Sequence, residues 1–348
     1  MFVKESDLVN GRCPNHPNQD LVEITEENYF FKFSAYQEKL LQYLSREDVI
    51  IPDWRRQEAI NFVQGGLEDF SISREKARMS WGVPVPGDDS QVMYVWFDAL
   101  TNYISTLGWP EDSAGNFKKF WTEGKTLQVA GKDQVRFQSL IWQAMLMSAD
   151  IKNTDQVFYH GFINSGGQKM SKSIGNVISP YDLVEKYGTD ATRYLLLRHV
   201  HPTEDTDVTW ERLDEWYTAN LVNGLGNLVA RVMKLAEDNL SVPVTGSTEI
   251  HPEFLTRLNE FRFNEALDYV FEMIAECDGV MTERAPFKKV KSEDDSIREE
   301  GKGDISLLVG HLSTIAAHLG PIMPKTSEAI LIAVRDNKKP ENLFPRLA

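Results

Sequence analysis

The sequence is poor in cysteine, and Cys13 and Cys277 lie far apart along it. A disulfide framework is therefore not expected, and a reducing compartment fits. No apolar run approaches the roughly 20 residues of a membrane-spanning helix, and the opening MFVKESDLVN lacks the apolar segment of a signal peptide. These absences lead to the expectation of a cytoplasmic protein with no membrane partner. Positive charge is also short: 37 Lys and Arg against 52 Asp and Glu leave a net charge of −15. That excludes a protein that coats itself non-specifically on nucleic-acid backbone. A local RNA site stays compatible if contact is confined to particular basic positions and selectivity comes from shape and base stacking. No internal repeat is visible. The 348 residues are enough for two domains or more and a sizeable core.

The most informative stretch is Gly166-Gly167-Gln168-Lys169-Met170-Ser171-Lys172-Ser173-Ile174-Gly175-Asn176. Its glycines allow positive φ and close approach to a ligand. Two lysines three residues apart can follow a polyphosphate whose charge moves as pyrophosphate leaves. The hydroxyls of Ser171 and Ser173 and the backbone N–H groups offer further donors. Composition alone allows either a phosphate clamp or a solvated surface turn.

Along the chain, residues 34–44 and 53–64 read as helices, with Tyr36, Leu40, Leu41 and Leu44 on one face of the first. Strands are predicted at Phe70 to Ile72, Val92 to Phe97, Leu127 to Ala130 and Val157 to His160, with a helix from Gln134 to Ser148. Alternating strands and helices imply a parallel sheet whose ligands sit at the carboxyl ends of the strands. Ser179-Pro180-Tyr181-Asp182 reads as a helix start that Gly188 closes, and Thr189 as the cap of a second helix. From about Glu211 the pattern is helical, with Leu221, Leu225, Leu228, Val232 and Leu235 in one stripe and Gly224 and Gly226 compensated by close packing. Thr245 to Pro252 reads as a loop. Lys288 to Asp304 is strongly charged and predicts a mobile connection before a last helix from Ile305 to Leu319. Cys13 and His16 have the spacing of two ligands of a zinc knuckle, or are a chance pair in a loop.

KMSKS followed by Ile-Gly-Asn is the second signature of class I aminoacyl-tRNA synthetases, and its whole neighbourhood resembles methionyl-tRNA synthetases. The resemblance implies that the loop stabilises the transition state in which an amino-acid carboxylate attacks the α-phosphate of ATP. Lys172 would contact ATP and Lys169 would support it, with Met170, Ser171 and Ser173 completing the ATP-binding loop. It implies that Trp96 of Trp96-Phe97-Asp98-Ala99 lines a methionine pocket with Leu100 and Tyr103. Asp133 of Gly131-Lys132-Asp133 would bind the amino group of methionine, and Gln138 would take a further pocket position. Asn227 and Arg231, in a GNLVxR setting, would read the anticodon, with Phe287 after Ala285-Pro286 where the family has tryptophan. Cys13 and His16 would be half of a zinc knuckle whose other ligands precede them. The sequence departs from the family at Gln128 and Gln138, where histidine is usual, at Gln134, usually isoleucine, and at Gln143, usually proline.

The fold expected from the resemblance is α/β: the second half of a Rossmann-type parallel sheet followed by an all-α anticodon-binding helix bundle. Residues 1–69 would end the connective insert, 70–163 form the second half of the catalytic domain, 164–210 the KMSKS loop and stem-contact segment, and 211–348 the anticodon-binding domain. No H-x-G-H element is present. The N-terminal half of the adenylate site is accordingly expected elsewhere, through a truncated reading frame or on a separate partner chain. The function implied is ATP-dependent activation of methionine and its transfer to tRNA(Met), with Mg2+ and possible half-site Zn2+, the chain being nearly inactive alone. The alternatives are a non-catalytic tRNA-binding module or one subunit of a split synthetase. A synthetase for isoleucine, leucine or valine is disfavoured because no insert of editing-domain size is visible.

Overall fold

The computed structural model describes residues 8–13, 16, 18–21, 25–171 and 175–347. The chain divides into two compact units, Met1–Tyr159 and His160–Ala348.

The first unit is mixed α/β. Its central sheet has the order Ile50–Ile51, Gln156–His160, Leu127–Gly131, with the first two parallel in the register Ile50↔Val157. Helices Gln37–Leu44 and Asp53–Gln64 bring Leu40, Leu44, Ala59 and Val63 onto this core, all essentially without solvent contact. The first helix is preceded by a 3-10 turn, Phe33–Tyr36, and the second helix and three of the expected strands fall within a residue or two of where periodicity puts them. Val92 to Phe97 does not. The strand there is Asp88–Met93, and Val95–Ala99 is helical. A β-rich run of Val, Trp and Phe is overridden by the spacing of Phe97, Leu100 and Ile104 along one helical face. Leu100 and Ile104 are buried, Val95 and Trp96 are exposed, and Phe97 packs on Phe31 with ring centroids 5.5 Å apart.

The second unit is helical apart from a small sheet of Gln168–Lys169, Ile163–Ser165 and Thr206–Asp207. Ser179 caps Pro180–Tyr187 by accepting the Tyr181 N–H, as expected, but Thr189–His199 starts from Gly188 and Thr189 makes no cap. The stripe of Leu221, Leu225, Leu228 and Val232 is fully buried. It runs from a wide i→i+5 segment, Tyr217–Gly226, into the helix Asn227–Asn239. Gly226 is needed for packing, since a Cβ would lie 2.9 Å from the Leu221 carbonyl and 3.2 Å from the Phe344 ring.

Two expectations are corrected here. Lys288 to Asp304 is not a mobile connection. It contains the turn Pro286–Lys289 and the first turns of a long helix, Asp295–Leu319, capped by the Asp294 carboxylate on the N–H groups of Ser296 and Ile297. One of its carboxylates is paired and buried rather than solvated. Asp304, 6 % exposed, accepts from Lys289 at 2.8 Å and Arg284 at 3.0 Å. Gly301 lets the Lys289–Val290 backbone approach where any side chain would collide. Likewise the helix through Leu319 is not the last: Pro324 begins another, Pro324–Asp336, because proline is well tolerated at a first helical position.

No helix among the described residues is long and apolar enough to cross a membrane.

Two histidines of the second unit are held neutral. The His199 ring stacks on Trp216 at 4.3 Å, and burial pushes its pKa down to about 4. Burial also lowers that of His318, whose Nε2 accepts the His251 backbone N–H at 3.0 Å. An unfolded chain protonates both near pH 6.5, while the folded chain resists. The stability they contribute is therefore full above about pH 6.5 and is lost as pH falls toward 4. The urea midpoint should fall between about pH 7.5 and about pH 5. His199→Phe, which keeps the stack without the titrating nitrogen, should flatten that curve.

Candidate functional sites

The strand Leu127–Gly131 ends on a short turn, Lys132–Gln134, which leaves the Asp133 carboxylate exposed just past the strand's carboxyl end. Gly131 there has ordinary extended backbone, φ −67°. No hydrogen bond or ion pair engages Asp133 among the described residues. Next comes the wide turn Arg136–Ile141, which carries Phe137 and Gln138. Phe137 lies against Trp96 with ring centroids 5.1 Å apart. Gln138, 6 % exposed, donates from Nε2 to the Tyr103 hydroxyl at 2.6 Å, while its buried Oε1 has no partner. Tyr103 in turn packs on Trp142 at 5.8 Å. Trp96, Tyr103 and Gln138 are thus linked through these contacts, and Leu100 is buried in the same core. Phe137 was missed by sequence reasoning, although its position one helical turn after Asp133 is a usable signal.

Gln128 and Gln143 belong to one hydrogen-bond network that reaches the backbone carbonyl of Gln138. In a wide helical turn a backbone carbonyl loses its usual donor, and the Gln143 side chain supplies one, donating to the Gln138 carbonyl at 2.9 Å. Gln143 Nε2 also donates to Thr154 Oγ1 at 3.0 Å, and Gln143 Oε1 accepts from the backbone N–H of Thr154 and from Asn153 Nδ2, each at 3.0 Å. Thr154 Oγ1 then donates to Gln128 Oε1 at 3.1 Å.

The lysine loop begins as a β-hairpin. Ser165 pairs with Gln168 and Asn164 with Lys169, and Gly166 and Gly167 at φ +64° and +74° form the two-residue turn that a hairpin's twist favours. The Gly167 N–H donates to Asp207 at 2.7 Å, tying the turn to the neighbouring strand. Gly161 is indispensable here, because a Cβ would run into the Glu204 carbonyl. Lys169 is exposed, with its ammonium 4.3 Å above the Phe162 ring. Met170 instead packs against the helical core. Asn176 closes the loop: its Oδ1 accepts the Ser171 N–H at 2.9 Å and its Nδ2 donates to the Ser165 carbonyl at 3.2 Å. Lys172 and Ser173 lie outside the described residues.

A third site is on the helices. Asn227 opens the helix Asn227–Asn239 and Arg231 follows one turn later, both exposed. Arg231 is ion-paired with Asp278 at 3.3 Å. It lines a cleft of about 470 Å³ with Ala230, Lys234, Leu235, Met281, Phe287 and Lys339. Phe287, 36 % exposed, is brought there by Ala285, which adopts φ +44° ahead of Pro286. Arg231 and Phe287 therefore meet, Asn227 stands a turn away outside the lining, and Lys234 and Lys339 are additions that no sequence pattern signalled.

Cys13 Sγ and His16 Nδ1 lie 3.6 Å apart, but no third His, Cys, Asp or Glu joins them among the described residues. Two donors fall short of a tetrahedral zinc set.

The family model described as tRNA synthetases class I (M) matches residues 2–233. Curated relatives include the methionine–tRNA ligase of Fusobacterium nucleatum, 36 % identical over 94 % of this chain and 53 % of its own length. That of Thermosynechococcus vestitus is 37 % identical over 94 % and 65 %, and that of Mesorhizobium japonicum 41 % identical over 77 % and 54 %. Among solved structures, a Mycobacterium tuberculosis methionyl-tRNA synthetase in complex with methionyl-adenylate is similar at TM-score 0.77 and 34 % identity, covering 88 % of this chain and 62 % of that one. A second such structure, bound by methionyl-adenylate, gives TM-score 0.79 at 32 % identity, over 93 % and 68 %. The chain thus spans between about half and two thirds of the length of these curated relatives. The family match from residue 2 onward gives no support to the expected loss of an N-terminal half.

Removing the Asn176 side chain should open the lysine loop without unfolding its unit. Asn176→Ala is expected to speed tryptic cleavage at the loop on the order of ten-fold, for about 1.4 kcal/mol of lost local closure. The melting temperature should barely change; a cleavage rate equal to wild type would show that the loop is held by other means.

Proposed function

We propose that this chain, which belongs to the class I tRNA synthetase (M) family, serves in methionine–tRNA ligation. In this reading the methionine carboxylate attacks the α-phosphate of ATP, forming methionyl adenylate and releasing pyrophosphate. The 3′-terminal hydroxyl of tRNA(Met) then attacks the adenylate carbonyl and AMP leaves. The observation that carries the reading is the carboxyl end of the strand Leu127–Gly131, where an unengaged Asp133 carboxylate precedes the Trp96–Phe137 ring pair.

Each residue has a part that its chemistry suits. Asp133 holds the substrate ammonium. Trp96, Leu100 and Phe137 surround the thioether, a polarizable group that packs well on aromatic rings. Tyr103 and Gln138 supply the polar end of the pocket through their mutual hydrogen bond. Lys169 and Lys172, with Ser171, Ser173 and the backbone at Met170, neutralise charge as it moves onto pyrophosphate. Catalysis is then positioning and electrostatic stabilisation, without a covalent enzyme intermediate. Magnesium, when bound, is held chiefly by the nucleotide's own phosphates. Asn227, Arg231 and Phe287 read the anticodon: the guanidinium and the ring offer stacking planes to unpaired bases, and the amide offers hydrogen bonds.

The finer division follows from the same reading. Residues 1–69 end a connective insert, 70–163 form the second half of a Rossmann-type catalytic domain, 164–210 the loop and stem-contact segment, and 211–348 the anticodon bundle. The sequence has no H-x-G-H element, which favours a chain that completes its adenylate site with further protein. Purified by itself, it should show little ATP–pyrophosphate exchange with methionine, and full exchange would overturn that part.

Calorimetric titration with methionine tests the pocket. Asp133→Asn should weaken binding about 10- to 100-fold, the worth of a charge-assisted hydrogen bond, and leave tRNA affinity unchanged. Equal methionine affinity in the variant would remove Asp133 from the site.

A further inference from the structure

The helical cleft holds more positive charge than base reading requires, in a protein whose net charge is −15. Lys234 is partly committed, to Asp238 at 2.7 Å, and Arg231 to Asp278. Lys339 has no hydrogen-bond or ion-pair partner among the described residues. Its place is fixed by an unusual helix end. Asn337 stops the helix Pro324–Asp336 in the left-handed conformation, φ +47°. Its side-chain amide donates to the carbonyl of Leu240 at 2.9 Å and of Ala236 at 3.4 Å, at the end of the helix that carries Arg231. One residue thereby turns the chain and fastens it to the recognition helix, and Lys339 follows directly at the cleft.

We propose that Lys339 is a backbone-phosphate contact of the bound RNA loop, with Lys234 beside it, and that Asn337 is the residue that positions Lys339. This rests on the anticodon-reading role given above to Arg231 and Phe287. A base stacked on Phe287 keeps its sugar and phosphate at the rim of a cleft only about 470 Å³ in volume, where a flexible, unpaired ammonium is suited to a moving anionic oxygen. The contact carries no sequence information: it adds affinity to any loop that enters, while the Arg231 plane discriminates.

The test uses the full chain and two labelled RNA hairpins, one with the triplet complementary to the methionine codon and one with a base of that triplet changed. Affinity is measured by fluorescence anisotropy over a salt series. One single-strand phosphate contact contributes about 0.7 to the slope of log K against log salt, or about five-fold in affinity at 0.1 M relative to 1 M salt. Lys339→Ala should weaken both hairpins by about that factor, lower the slope by about 0.7 and leave their affinity ratio unchanged, and Lys339→Arg should restore binding. Asn337→Gly keeps the backbone conformation but loses both amide bonds, so it should move affinity and slope the same way while circular dichroism stays native. If Lys339→Ala changes neither affinity nor slope while Arg231→Ala removes discrimination, the phosphate contact is refuted and the reading of the cleft stands. If Arg231→Ala and Phe287→Ala leave discrimination intact, that reading fails and takes this proposal with it.

Discussion

Removing the apolar stripe of Asp295–Leu319 from water is the step on which the second unit depends. Ile305, Leu308, Val309, Leu312, Ile315, Ala316 and Leu319 of this one helix are buried to 0 % exposure, each worth about 1 to 3 kcal/mol relative to an exposed position. The same helix presents Gly301 and Asp304 to the chain before it, which accounts for the turn Pro286–Lys289 being ordered at all. That turn carries Phe287. On its other flank the helix packs on Pro324–Asp336, whose end delivers Asn337. The cleft is thus a by-product of burial: its aromatic wall and its rim are hung from two ends of one hydrophobic contact surface.

Much of this was legible in the sequence, and the reasons differ. Helices such as Asp53–Gln64 and the stripe from Leu221 to Val232 obey a period that burial enforces. Strand Leu127–Gly131 and the turn after it follow from an apolar run that stops at a glycine. What failed were places where a local rule lost to a distant partner. The carboxylate of Asp304, at the end of a charged run, looks solvated until Lys289 and Arg284 are seen to neutralise it. Val95, Trp96 and Phe97 have strand propensity, but the core wants Leu100 and Ile104 on a helical face. Lys339 carries no motif because its position is set by an amide 97 residues from the carbonyl it caps. Of the candidate site, Trp96, Tyr103, Gln138, Arg231 and Phe287 could be named in advance; which of them touch could not.

On the proposed function an acidic protein handles two polyanions, and charge explains how. With −15 overall, long-range attraction to RNA or ATP is absent, and screening confines each favourable contact to about 10 Å. Lys169 over the Phe162 ring and Lys339 at the helical cleft are accordingly short-range devices that act once shape has admitted the ligand. Selectivity gains from this, since an RNA that does not fit meets net repulsion.

The glutamine network also constrains how this sequence can change. Gln143 caps the Gln138 carbonyl and holds Thr154, which in turn holds Gln128. Replacing Gln143 by an apolar residue strands the buried Thr154 N–H and the Gln138 carbonyl, and replacing Gln128 strands the Thr154 hydroxyl, each at about 1 to 3 kcal/mol, whereas the Gln138 carbonyl belongs to the backbone and survives any change of that side chain. Substitutions at Gln128 and Gln143 are therefore epistatic, because both act on Thr154.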